Sequence, residues 1–151
     1  MGTIAELSNQ ISYDIIQFIA NQSCASVAVM ADDGAPYCFS CYYVFNEEDG
    51  VIYFKSSSDS NHFGYLKKQK TVGGVILPDK LKTGEVVGIQ FRGTILDTSD
   101  ALAKNASLNY HNKLPYAIAM KGEVHSLMLT EIKMTNSKWG FGKKLLWQRE
   151  E

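Results

Sequence analysis

The stretch from Ser26 to Asn46 alternates with a period of two on either side of Asp32-Asp33-Gly34. That pattern commits this part of the chain to an antiparallel hairpin, because Asp-Gly suits the tight turn that right-twisted strands prefer. In the first strand Val27, Val29 and Ala31 alternate with Ala28 and Met30. The second, over 36–46, carries Tyr37, Phe39, Cys41, Tyr43 and Phe45 on one face and Cys38, Ser40, Tyr42 and Val44 on the other. Successive strand residues leave opposite faces, so this strand is fairly apolar on both, as expected of a central strand or one at an interface.

The neighbouring segments supply partners for the hairpin. Ile4, Leu7, Ile11, Ile15 and Phe18 recur at helical spacing behind a capping box at Thr3-Ile-Ala-Glu6, which predicts a helix over 4–21. Asn46-Glu-Glu-Asp-Gly50 makes a turn into a strand at 51–54, and a helix follows over 61–69. Strands are expected at 71–77, ended by Pro78, and at 86–95, where glycines suggest bends or a close backbone approach. Ser99 or Asp100 can cap a helix to about Asn112, and Pro115 opens a further helical turn that Gly122 ends. Strands at 126–134 and 139–147 flank a turn at 135–138. Six or seven strands, mostly in hairpins and interrupted by three helices, predict a mainly β fold: a closed or nearly closed antiparallel barrel with peripheral α-helices. A doubly wound parallel sheet would need a helix after each strand.

The chain of 151 residues is expected to form a single domain with one core. Its formal net charge of −1 provides no global attraction to nucleic acid or to an anionic membrane. The N-terminal residues lack a basic leader pattern and no apolar run approaches a membrane span, so the expected location is the cytoplasm. Cys24, Cys38 and Cys41 are an odd set, expected as reduced thiols. Cys38 and Cys41 form a Cys-x-x-Cys inside a strand pattern, where residues three apart face opposite ways and cannot converge on a metal. His62, His111 and His125 have no metal-ligand spacing, and no metal site is expected.

The segment Val51 to Lys70 carries the clearest functional signal. Strand formers run into Ser56-Ser57-Ser58-Asp59-Ser60, and Asp59 or Ser60 can cap the helix that begins at Asn61. A strand-to-helix junction of this kind presents free amides and the positive end of a helix dipole, which suit a phosphate. It equally meets the ordinary need of any such turn for polar residues and a cap.

This arrangement resembles the pyridoxamine 5'-phosphate oxidase-like FMN-binding split-barrel superfamily over most of the chain. Gly88-Ile-Gln-Phe-Arg-Gly93, Glu131-Ile-Lys-Met-Thr-Asn136, Gly140-Phe-Gly-Lys-Lys144 and Trp147 are similar to a short, largely uncharacterised bacterial branch of it. The resemblance implies an FMN phosphate held by Ser56, Ser60 and His62 with Ser57 and Asn61 beside them, His62 standing where the family has lysine. It also implies an isoalloxazine ring lined by the second strand around Ser40, Tyr42 and Tyr43, and a homodimer that places the cofactor at the subunit interface. Apolar faces around Tyr42, Tyr43 and Phe45 would help form that interface, and Trp139, Lys143 or Lys144 would reach in from the partner. The oxidase's basic residues on the second strand fall at Ser40 and Phe45, and its C-terminal tryptophan falls near Thr135, which argues against pyridoxamine phosphate as substrate. The resemblance therefore implies a flavin-dependent oxidoreductase acting on an unidentified small molecule. The alternatives are a flavin or haem module without turnover and a structural dimer without cofactor.

Overall fold

The computed structural model describes residues 10–140 and 143–150. A helix α1 (Tyr13–Asn21) leads into the hairpin of β1 (Cys24–Met30) and β2 (Pro36–Asn46). Next come β3 (Val51–Ser56), α2 (Asn61–Lys68), β4 (Thr71–Ile76) and β5 (Val87–Ile95). The chain continues through α3 (Ala106–Lys113), β6 (Glu123–Asn136) and β7 (Lys144–Gln148), with 3-10 turns at Ala101–Ala103, Pro115–Ala119 and Ser137–Trp139.

The strands pair antiparallel in the order β3-β2-β1-β4-β5-β6-β7, and a further β3–β6 pairing closes the first six into a barrel. One edge of β6 serves two neighbours. Its residues 123–128 pair with β3 and its residues 131–135 with β7. The inward side chains form one core in which Tyr37, Phe39, Cys41, Tyr43 and Phe45 of β2 meet Ile52 and Phe54 of β3. Outside the barrel, α3 and the turn Pro115–Ala119 lay Ala106, Tyr110 and Ala117 over Val44, Val51 and Tyr53. Residues 51–54 are therefore buried on both faces.

The barrel opens along one edge of β2. Only its last four residues, Tyr43 to Asn46, pair with β3, while Pro36 to Tyr42 pair with β1 on the other side. Helix α2 fills the resulting gap, stacking His62 on Phe39 and setting Tyr65 edge-on to Tyr37. Apart from the end of β2 under α3, the outer surface of β2-β1-β4-β5 carries no helix among the described residues. One row across it reads Ser40, Ser26, Val75, Gln90, with Tyr42 and Leu77 about half exposed nearby.

Several boundaries differ from the sequence-based expectation. Residues 1–9, and with them the expected capping box and the first turns of the 4–21 helix, lie outside the described residues; α1 starts at Tyr13 because Ser12 adopts the extended N-cap conformation. The helix expected from Asp100 to Asn112 is broken into two pieces: Asp100 accepts from the Leu102 amide and caps only a 3-10 turn. β6 starts at Glu123 rather than Ser126, since Glu123, Val124 and His125 complete the pairing with Ser56, Lys55 and Phe54. Trp139 sits in a 3-10 turn, not a strand, and β7 begins at Lys144.

Cys38 is exposed on the outer surface while Cys41 points into the barrel, as their three-residue spacing in a strand requires. Among the described residues no group of histidine, cysteine or acidic side chains is arranged to hold a metal, and no helix is long and apolar enough to cross a membrane.

Candidate functional site

β3 delivers Ser56 to the open edge of the barrel, and pairing with Glu123 keeps that serine buried. Gly122 is required beside it: its φ is +141°, and a Cβ there would stand 2.6 Å from the Ser56 carbonyl oxygen. The loop then turns on Ser57. Its carbonyl accepts from the Ser60 amide at 3.0 Å and from the Ser60 hydroxyl at 2.7 Å, and its own hydroxyl accepts from the Asp59 amide at 3.3 Å. The Ser60 oxygen thereby comes within 3.4 Å of Ser56 Oγ and 3.3 Å of His62 Nε2. Three of the residues implied by the family resemblance, Ser56, Ser60 and His62, thus form one contiguous polar cluster, with Ser57 bracing it and Asn61 opening α2.

The expected capping role is corrected. Ser60 holds the N-cap position of α2 with extended backbone angles, but its side chain makes no capping bond, because its hydroxyl is turned toward Ser57 and Ser56. The first amides of α2 have no partner inside the helix, as in any α-helix. The loop therefore gathers three hydroxyls, a ring nitrogen and a free helix N-terminus, which together can accept and donate around an anion.

Positive charge is scarce there. Lys55 is turned to the outer face, donating to the Ala117 carbonyl at 2.7 Å and to His111 Nε2 at 3.0 Å. His111 Nδ1 lies 2.8 Å from the Ser107 carbonyl, an arrangement that makes Nδ1 the donor and leaves Nε2 to accept. Lys67 lies over the Phe63 ring, Lys68 pairs with Asp32 and Lys70 with Asp97. His62 remains, and burial against Phe39 holds its pKa below the ordinary imidazole value.

The other expected site residues are dispersed. Ser40 and Tyr42 lie on the uncovered outer face, Ser40 Oγ being 3.5 Å from Ser26 Oγ. Tyr43 faces the interior and donates its hydroxyl hydrogen to the Ile19 carbonyl, and Phe45 packs on the core. Tyr43 is thus buried, whereas Phe45 is only partly covered and Tyr42 is about half exposed. Trp139 packs partly against the core and Lys143 is exposed. Both follow the end of β6, whose beginning pairs with Ser56, so roughly 40 Å of strand lies between them and the serine loop along the chain.

Sequence reasoning passed over two residues. His125, expected before the start of a strand, points inward at the mouth of the barrel, stacked on Phe54 and edge-on to Phe63. Arg149 fills the junction where β6 exchanges β3 for β7, donating to the carbonyls of Leu129, Asp49 and Gly50. Neither belongs to a motif; only strand register brings their partners together.

No family model matches the chain. A UPF0306 protein of Photorhabdus laumondii is 31% identical over 135 residues, 89% of this chain and 94% of that one. Among solved structures, a haem-binding protein from Mycobacterium smegmatis superposes with a TM-score of 0.70 at 12% identity over 87% of this chain, which spans only 55% of that larger protein. A FAD-binding protein from Mesorhizobium loti gives 0.62 at 15% identity, covering 81% and 92% of the two chains. A Clostridium acetobutylicum protein of the pyridoxinephosphate oxidase family, related to general stress protein 26, gives 0.64 at 11%, covering 89% and 92%. At such identities these structures establish the fold, which is that of the split-barrel proteins. The chain belongs to the UPF0306 family.

Proposed function

We propose that this UPF0306 protein binds FMN through the serine loop and acts as a homodimeric flavin-dependent oxidoreductase on a small molecule. The observation that carries the reading is Ser60. It occupies a cap position without capping, so the first amides of α2 are left for a ligand, and its hydroxyl can turn from the Ser57 carbonyl to donate to one. In this reading Ser56, Ser60 and His62 hold the phosphate, and Ser57 and Asn61 shape its rim. The flavin supplies the redox chemistry, while the chain binds and orients it. That the solved split-barrel neighbours include flavin-binding and pyridoxinephosphate-oxidase-family proteins supports the choice of ligand. The surface around Ser26, Ser40, Tyr42 and Val75, bordered by the Asp79 carboxylate, is the face assigned to a second copy. In the dimer the partner would bring its Trp139 and Lys143 to the isoalloxazine, because within one protomer they follow the opposite end of β6 from the serine loop. Reduced thiols and a cytoplasmic location accord with this assignment.

Ser60→Ala separates the ligand role from the structural one. FMN affinity is expected to fall about tenfold, since hydrogen bonds to a charged group are worth about 1.5–3 kcal/mol. Stability should change by less than the ~1 kcal/mol of a lost cap, because no capping bond exists to lose. Flavin fluorescence titration and urea unfolding measure the two, and an unchanged affinity would remove Ser60 from the site.

The scarcity of fixed positive charge gives a pH dependence. Protonated His62 favours phosphate, so affinity should fall as pH rises through the His62 titration. Because burial lowers that pKa, the fall in free protein lies on the acid side of the ordinary imidazole value, and affinity is level above neutrality. His62→Lys should raise affinity about tenfold at pH 7.5 and abolish the slope. Titrations at pH 5 to 8 provide the check.

The same lack of fixed cations favours a second reading, storage or sensing of a flavin or haem without turnover, a ligand choice for which a haem-binding neighbour also speaks. The absorbance spectrum of the purified protein, followed by addition of a nicotinamide donor, separates the readings. Reduction of the bound flavin supports the oxidoreductase, and a bound chromophore that never changes redox state supports storage. A protein that takes up neither FMN nor haem would be a structural dimer.

A further inference from the structure

His125 is unusual among the polar side chains of the barrel. Its Nε2 is buried and has no hydrogen-bond partner among the described residues, and its ring is held between Phe54 of β3 and Phe63 of α2. A neutral imidazole fits such a place at modest cost, whereas an imidazolium there would need a partner for its second N–H. The cover over this ring is a single short helix. α2 holds to the barrel mouth by Phe63, Leu66, the His62–Phe39 stack, the Tyr65–Tyr37 contact and an exposed Lys68–Asp32 pair. It crosses the edge of β2 that no strand covers, so it can move away without breaking the barrel's hydrogen-bond ladder.

From this geometry we infer that α2 and the serine loop form an acid-released flap, in which protonation of His125 expels α2 from the barrel mouth while the six-stranded barrel stays closed. Burial is the largest influence against a charge at His125, and the charged groups around it come second. His62 and Lys67 on α2, and Lys70 just after it, all oppose a positive charge at His125; Glu123, two residues earlier on β6, is the one opposing influence. A charge at His125 is thus opposed first by its burial under α2 and only then by the basic groups on and just after that helix, so departure of α2 hydrates the imidazolium and weakens the repulsion.

Burial lowers the docked pKa of His125 to about 4 from the free value of 6.5. A group whose pKa is lowered in the docked state contributes its stability fully above the free value, and that stability is lost as pH falls toward the docked value. Between pH 6.5 and 4 the docking equilibrium should therefore weaken by roughly two orders of magnitude. The consequence would be a phosphate site that is dismantled in acid, in opposition to the gain expected from protonating His62. The flap itself is independent of the flavin reading.

The test is amide hydrogen exchange on the ligand-free chain at pH 7.5 and 4.5, expressed as protection factors so that intrinsic exchange cancels. Protection in 57–68 is expected to fall about a hundredfold at the lower pH while the core amides of β1 and β6 keep theirs. His125→Phe, which keeps the ring and removes the titration, should leave α2 equally protected at both values. His125→Gln serves if the phenylalanine variant fails to fold by circular dichroism. His62→Gln should leave the drop in place. Protection of α2 that is independent of pH, a loss shared by the whole barrel, or a drop that persists in the His125 variants and vanishes with His62→Gln would each overturn the flap.

Discussion

Gly74→Ala should lower the free energy of unfolding by about 3 kcal/mol, seen as a reduced urea midpoint at unchanged slope. Gly74 lies in β4 between Val27 of β1 and Phe91 of β5, on the inward face. A Cβ there would stand 2.3 Å from Phe91 Cζ and 2.4 Å from the Ser26 carbonyl oxygen. The Phe91 ring is packed in the core, and Ser26 is paired within β1, so neither can yield without disturbing strand pairing or packing. The adjacent Gly73 is the control. It faces outward, its Cβ would meet nothing closer than the Phe91 carbonyl oxygen at 3.5 Å, and Gly73→Ala should stay within ~0.5 kcal/mol of the parent. Equal losses at both positions would show that backbone freedom, not space, is what the glycine pair provides.

Arg149→Ala should cost a similar ~3 kcal/mol. Three backbone carbonyls, Leu129 at 2.7 Å from Nε and Asp49 and Gly50 at 2.7 and 3.1 Å from one terminal nitrogen, depend on this guanidinium where β6 changes partners. Lysine has no fork to span these acceptors, so Arg149→Lys should recover less than half of the loss. The measurement is again urea unfolding, joined by hydrogen exchange in β7, which should lose protection before β3. The neighbouring Gly50 is bound to the same joint: its φ is +64°, and a Cβ would fall 2.6 Å from the Arg149 terminal nitrogen. A substitution there should therefore be strained twice over.

The parts of the fold most readable from sequence are those governed by local chemistry. The alternation around Asp32-Asp33-Gly34 places the β1–β2 hairpin, and Cys38 and Cys41 diverge as a strand demands. Glycines in the 86–95 strand mark a real irregularity, since the β5–β6 register shifts between Arg92 and Gly93. Boundaries were less readable where a long-range partner sets them. Glu123 to His125 have no strong strand pattern of their own, and join β6 because β3 lies alongside.

The same division applies to the candidate site. Ser56, Ser60 and His62 are close in sequence, and a strand-turn-helix of that length brings them together without help from the rest of the chain. The direction of the Ser60 hydroxyl, however, was not readable, because Ser57, Ser56 and the helix amides all compete for it within a few ångströms. Alternation alone puts Tyr43 and Tyr42 on opposite faces, but only the packing of α1 gives the Tyr43 hydroxyl its acceptor in Ile19. For His125 and Arg149 the sequence contains only isolated polar residues. One becomes a buried ring beneath α2 and the other closes the seam between β3 and β7. The sequence by itself determined the order of the strands, the first hairpin and the serine cluster, because side-chain periodicity and turn chemistry are decided within a few residues. Only the tertiary structure decided which side chains face the barrel mouth, since closing β3 onto β6 joins positions about seventy residues apart, and no local preference encodes that pairing.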